Sequence, residues 1–115
     1  MHAWRASVLT LPLCLLAAAR ASTPEAWAAH TQEVIAACVA ASGLRKAHAA
    51  GDLVEFDDSV GFTAVLIAGR YPQPHMHDAA ARVLCLFDKR SRRALVSGAD
   101  AILRPQRVSP ASPPQ

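Results

Sequence analysis

Three features that would identify an activity directly are missing from this chain. No serine lies in a nucleophile-elbow context, and no histidine or cysteine spacing matches an established zinc pattern. Beyond residue 21, no apolar run approaches the roughly 20 residues that a membrane helix needs, because the run at 64–68 ends at Gly69 and Arg70. The sequence therefore predicts no enzyme by motif and no membrane span after the N-terminal segment.

A strong net positive charge is also missing once that segment is set aside. The whole chain has twelve Lys and Arg residues against nine Asp and Glu, but Arg5 and Arg20 both fall within residues 1–21. The remainder has ten basic and nine acidic residues, a formal net charge of +1. Recognition of nucleic acid depends on a basic face, so nucleic acid is not an expected partner.

Residues 1–21 have the pattern of a secretory signal peptide. Arg5 supplies a basic start, residues 8–19 are apolar, and residues 19–21 form the small-x-small motif that precedes cleavage. Pro12 and an apolar run of about 12 residues fit a signal better than an uncleaved anchor. We therefore expect cleavage after residue 21 and export of a mature protein that does not span the membrane.

The mature chain of 94 residues is predicted to contain one small domain and a disordered tail. Residues 104–115 contain four prolines and no apolar periodicity, so they cannot bury enough surface to offset their ordering entropy. This places the domain at residues 22–103.

Cys38 and Cys85 are the two cysteines of the mature chain. An even number in an exported chain predicts a disulfide, and a domain of this size benefits from a covalent link. Closing this loop would contribute roughly 4 kcal/mol in the chain-entropy model. Two free buried thiols are the alternative.

A helix is predicted between Thr23 and Gly43. Thr23 is a good N-cap, Pro24 suits the first helical position, and Gly43 suits the C-terminus. Its core-facing stripe consists of Trp27, Thr31, Val34, Ile35, Cys38 and Ser42.

From Asp52 the hydrophobic period changes from helical to alternating. Strands are predicted at 53–57, 62–68, 82–87 and 94–97, followed by a short helical turn around 100–103. In the third strand, Cys85 shares a face with Val83 and Phe87. The predicted fold class is therefore α+β: one N-terminal helix packed on a four-stranded antiparallel meander, stapled by one disulfide. This general shape is similar to that of cystatin-like and other small exported helix-on-sheet modules, although no residue motif ties the chain to a family.

The connection between the second and third strands is the main candidate for a functional site. Pro72 and Pro74 stiffen it, and Tyr71 offers an aromatic anchor, which suits contact with a macromolecular partner. A solvated loop without a binding role is the alternative.

The same connection also suggests a metal site. In an extended segment the side chains of His75 and His77 point the same way. Met76 and Asp78 add a soft and a hard ligand, a combination that would suit copper or zinc.

Two charged turns complete the candidates. Arg90, Arg92 and Arg93 form a basic tip that is a secondary partner-binding candidate, with a solvated turn as the alternative. Asp57 and Asp58 are interpreted as turn residues, because neighbours on a strand point to opposite faces and cannot share a substrate atom.

We therefore predict a small exported binding or inhibitory module that acts through the proline-stiffened loop, is not an enzyme and needs no cofactor. Its partner would be a protein or an envelope component; its identity and the oligomeric state stay open. The high content of Ala, Arg and Pro is typical of a GC-rich bacterial genome and favours the periplasm. A periplasmic copper- or zinc-binding protein is the first alternative and a small enzyme the second.

Overall fold

The computed structural model describes residues 8–10 and 23–105. The predicted cleavage motif and nearly all of the predicted tail lie outside these residues. The elements are a helix α1 (Pro24–Ser42), strands β1 (Arg45–Ala49), β2 (Val54–Glu55) and β3 (Phe62–Arg70), a 3-10 turn (Pro74–Met76), strands β4 (Ala80–Asp88) and β5 (Arg93–Gly98), and a short helix α2 (Asp100–Leu103). In the described part of the chain, no helix is long and apolar enough to cross a membrane.

Helix α1 begins and ends where the sequence predicts. The hydroxyl of Thr23 accepts a hydrogen bond from the amide of Ala26 at 3.1 Å, and Gly43 ends the helix with a left-handed φ of 64°. Val34 and Cys38 are fully buried, whereas Trp27 is 46% exposed. The sheet therefore buries the middle of the predicted stripe and leaves its first turn accessible.

The sheet is antiparallel, with strand order β1-β3-β4-β5 and with β2 also paired to β3. Strand β1 pairs with the C-terminal half of β3 and β2 with its N-terminal half. The two short strands thus lie end to end along the same edge of β3. The sheet therefore has five strands rather than the four of the predicted meander. The helix-on-sheet α+β fold is confirmed.

The prediction missed β1 because its sequence, Arg-Lys-Ala-His-Ala, has little strand propensity. Its pairing with β3 shifts register between Arg45 and His48, and Lys46 adopts a φ of 52°, as in a bulge. Gly69 allows the close approach: a Cβ there would lie 2.7 Å from the main-chain oxygen of Arg45. Strand β1 forms because a neighbouring backbone is available.

The core lies between α1 and one face of the sheet. It consists of Val34, Cys38, Val65, Ile67, Cys85 and Phe87, all at most 2% exposed. The predicted disulfide between Cys38 and Cys85 is confirmed, with a Cα–Cα distance of 5.8 Å, and it joins α1 to β4 within this core. Such a bond indicates an oxidising environment.

The other face of the sheet, which we call the outer face, is not covered by α1. Side chains alternate along each strand, so this face receives the residues between the core positions. Leu95 of β5 lies on it and is 60% exposed. The described residues therefore leave a second side of the sheet open to other molecules.

Candidate functional site

The Tyr71–Asp78 loop joins β3 to β4 and folds into a compact turn. The amide of Met76 donates to the carbonyl of Gln73 at 3.0 Å, and that of His77 donates to Pro74 at 3.2 Å. The amide of Tyr71 donates to the carbonyl of Ala79 at 3.0 Å, which closes the loop at its base. The loop backbone is thus held by its own hydrogen bonds.

Side chains from two strands attach the loop to the sheet. Nη1 of Arg45 donates to the carboxylate of Asp78 at 2.8 Å, and Nη1 of Arg70 donates to the main-chain carbonyl of Asp78 at 3.2 Å. Arg45 and Arg70 are themselves paired in register between β1 and β3. Each contact is exposed and worth at most about 1 kcal/mol, but together they fix the position of the loop.

The predicted partner-binding residues of this loop, Tyr71, Pro72 and Pro74, differ in exposure. Tyr71 is half-buried and lines a shallow depression of about 260 Å³ with Gln73, His75 and Met76. Pro72 and Pro74 are exposed beside it. The loop presents an aromatic ring on a fixed backbone, which is an arrangement suited to recognition.

The extended conformation on which the metal interpretation depends is wrong. Pro74–Met76 form a 3-10 turn, and His77 and Asp78 have left-handed φ values of 51° and 56°. The segment therefore lacks the strand geometry that would point His75 and His77 the same way, and the carboxylate of Asp78 is engaged by Arg45. Among the described residues, no group of three His, Cys, Asp or Glu side chains is placed to hold a metal ion. The argument from an extended segment therefore no longer supports copper or zinc binding, which stays a prediction.

The basic tip is partly used within the fold. The guanidinium of Arg92 contacts the carboxylate of Glu33 on α1, while Arg90 and Arg93 form no ion pair within residues 23–105. Amide donation from Arg90 lowers the pKa of Asp88, against a smaller opposing effect of desolvation. The carboxylate of Asp88 also accepts from the amide of Ser91 and so orders the turn. Because Arg92 is paired with Glu33, two of the three arginines of the tip are without an ion pair in residues 23–105.

A polar cluster that the sequence did not predict lies between α1 and the sheet. It consists of His30, Glu55, Thr63 and Lys89, from α1, β2, β3 and the turn after β4. The hydroxyl of Thr63, fully buried, lies 2.9 Å from both carboxylate oxygens of Glu55. Nε2 of His30 lies 3.0 Å from Glu55 and 3.1 Å from Thr63. Because an ionised carboxylate only accepts, this network assigns a proton to Nε2 of His30.

The polar cluster borders an open cavity of about 200 Å³ whose wall includes Trp27. The geometry of the polar cluster does not suit nucleophilic catalysis. A catalytic triad uses both ring nitrogens of its histidine, whereas Nε2 of His30 serves both Glu55 and Thr63, and the Thr63 hydroxyl is buried. The cluster ties four elements together by satisfying its own polar groups.

Alternation along β3 would place Thr63 on the core face, but only the pairing of Glu55 with Thr63 across two strands creates the cluster. The sequence contains no local signal for that pairing.

No protein-family model, no curated protein and no solved structure matches this chain.

Proposed function

We propose that this chain is an exported, disulfide-stabilised module that binds a macromolecular partner, a protein or another envelope component, through the Tyr71–Asp78 loop. The single observation that carries the proposal is the attachment of this exposed loop to the sheet through Asp78. Arg45 holds its side chain and Arg70 its main chain. The loop is therefore ordered before any partner arrives.

An ordered loop lowers the cost of association, because less conformational entropy is lost on binding. The half-buried ring of Tyr71 lies next to exposed prolines whose φ angles are already restricted. Aromatic side chains in such positions commonly supply a large share of binding energy. The chemistry of the loop thus supports contact with another surface.

Export is the second part of the proposal. The signal-peptide pattern of residues 1–21 supports it, and the Cys38–Cys85 disulfide favours an oxidising compartment over the cytoplasm. The composition favours a bacterial source, for which that compartment is the periplasm.

The test is capture of a partner from an envelope extract. The protein, produced with its own N-terminal segment and purified from the oxidising compartment, is immobilised beside its Tyr71→Ala variant. Phe56→Ala is the matched control, because Phe56 is an exposed aromatic next to β2, away from the loop. We expect wild type and Phe56→Ala to retain the same component and Tyr71→Ala to lose it.

A His75→Ala, His77→Ala double variant separates the proposal from metal handling. Contact through loop shape predicts that this variant keeps more binding than Tyr71→Ala does. Equal capture by wild type and Tyr71→Ala would contradict the proposal, as would submicromolar, stoichiometric copper or zinc binding that the double variant loses.

A further inference from the structure

A basic groove lies at the base of the Tyr71–Asp78 loop, where β3 and β4 join it. The groove has a volume of about 550 Å³, and the side chains of Lys46, His48, Arg70 and Arg82 line it. Its floor is made of Ala and Gly residues, and Asp100 is the one carboxylate at its border. Because the residues of the floor are small, they leave a space above the backbone. The cationic side chains surround this space.

The strand register explains the shape of the groove. His48 pairs with Ala68 and Ala68 with Arg82, so these three side chains form a row on the outer face. Arg70 pairs with Ala80 one row further. Arg70 and Arg82 are consequently diagonal neighbours, for which the usual separation is about 7–8 Å. Between β3 and β4, each arginine thus has an alanine directly opposite, and a gap remains between the two arginines.

The cations of the groove are not neutralised by the fold. In residues 23–105, Lys46, Arg70 and Arg82 form no ion pair with a carboxylate, whereas Arg45, Lys89 and Arg92 each do. Arg70 uses one N–H on the carbonyl of Asp78, whose own carboxylate is neutralised by Arg45. Four of the five N–H donors of a guanidinium remain for another acceptor.

We propose that the basic groove binds the phosphate monoester group of a ligand. Two guanidiniums offer planar pairs of donors that match phosphate oxygens, and the Lys46 ammonium adds a point charge. Three positive charges against the single negative charge of Asp100 leave a surplus of two, which a phosphate monoester of nearly two negative charges balances better than one carboxylate does. The volume also accommodates a sugar-sized group attached to the phosphate.

This inference rests on the proposed binding function, since it names the chemistry of the group that the module would recognise. The groove adjoins the loop through Arg70, which precedes Tyr71 in the chain and contacts Asp78. A ligand could therefore place its phosphate in the groove while the remainder contacts the loop.

The experiment measures direct binding with defined probes. Inorganic phosphate and glucose 6-phosphate are titrated by calorimetry, with gluconate as the carboxylate control. Phosphatidylcholine vesicles with and without phosphatidic acid test a lipid source of the same group by co-sedimentation. Binding of glucose 6-phosphate but not of the vesicles identifies a soluble ester as the source of the phosphate group. Binding of phosphatidic acid vesicles but not of glucose 6-phosphate identifies a lipid, and either result supports the proposal.

The variants separate the groove from general electrostatics. Arg70→Ala and Arg82→Ala should each weaken binding by at least about tenfold, as loss of hydrogen bonds to a charged group commonly does. Arg90→Ala removes an exposed arginine of the basic tip, at the other end of the β3–β4 hairpin and outside the groove, and should leave phosphate-ester binding unchanged. Asp100→Asn should tighten binding, a gain that a poorly folded variant would not show.

Absence of phosphate-ester binding in every arm would overturn the inference, as would an equal loss with Arg82→Ala and Arg90→Ala. If Tyr71-dependent capture of a partner persists while no ester binds, the proposed function stands and this inference fails. If esters bind through Arg82 but no partner is captured, this inference stands and the proposed function fails.

Discussion

The polar cluster and the basic groove lie at opposite ends of the β3–β4 hairpin and use their charged side chains in opposite ways. At one end, Glu55 receives hydrogen bonds from Thr63 and His30 and lies 3.5 Å from the ammonium of Lys89. At the other end, Arg70 and Arg82 face a groove whose border holds a single carboxylate. The polar groups of the cluster are satisfied within the fold, whereas the groove keeps a surplus of positive charge.

The physical reason for the difference is burial. The hydroxyl of Thr63 has no access to solvent, so the fold must provide its partner or lose stability. Arg82 is exposed, so water solvates it and no internal carboxylate is needed. A polar group with an internal partner stabilises the fold, whereas one left to water remains available for a ligand.

The largest expected effect comes from removing the Cys38–Cys85 disulfide, which joins α1 to β4. Cys85→Ser should lower the free energy of unfolding by about 4 kcal/mol, because the unfolded chain loses a loop closure between positions separated by 47 residues. Denaturant unfolding without reductant measures the change, and Cys38→Ser should show the same loss. An unchanged midpoint in both variants would mean that the disulfide does not limit stability.

Removing the hydroxyl of Thr63 tests the difference in stability between the polar cluster and the basic groove. Thr63→Val keeps the shape but withdraws a buried hydrogen bond to a charged group, at a cost of about 1.5–3 kcal/mol. Arg82→Ala at the other end should change stability by no more than about 0.5 kcal/mol, because it is an exposed side chain without an ion pair in the described chain. Urea unfolding of both variants tests this; similar losses would erase the distinction between the ends.

Gly69→Ala should damage the groove end through the backbone. The added Cβ would lie 2.7 Å from the main-chain oxygen of Arg45, so β1 must move away from β3 at a cost of about 1–3 kcal/mol. Hydrogen exchange should show faster exchange in β1 and unchanged protection around Thr63. Gly98→Ala is the control, because a Cβ there meets nothing within 4 Å.

The smallest effect concerns pH. Partial desolvation lowers the pKa of Lys89, but hydrogen bonds and charge from Asp58 and Glu55 outweigh it, so the pKa is raised above 10.5. A raised pKa contributes stability that is present below pH 10.5 and is lost as pH rises through the pKa of the folded state. The stability advantage of wild type over Lys89→Met, less than about 1 kcal/mol, should therefore shrink in that range. A constant difference in melting temperature would contradict this assignment.

Several elements were predictable because their signals are local. Thr23 and Gly43 bracket α1 through capping preferences of single residues, and the alternation around Cys85 placed it on the core face. The disulfide followed, since Cys38 occupied the matching face of the helix. The contact of Arg92 with Glu33 was not predicted, because it joins residues far apart in the chain.

The loop shows where local reasoning stops. Its prolines predicted a stiff, extended connection, but the left-handed conformations of His77 and Asp78 make the segment compact. Asp78 keeps its place because Arg45 and Arg70 reach it from two strands, one of which the sequence pattern did not predict.

The sequence by itself determined the helix, the alternating strands and the faces that the two cysteines occupy, because capping and periodicity act over a few residues. Tertiary structure alone decided the pairing of β1, the polar cluster and the basic groove. Each depends on which residues face one another across strands, as Glu55 faces Thr63 and Ala68 faces Arg82. Register is settled by the packing of the whole sheet on α1, and a shift of one residue would move every side chain to the opposite face.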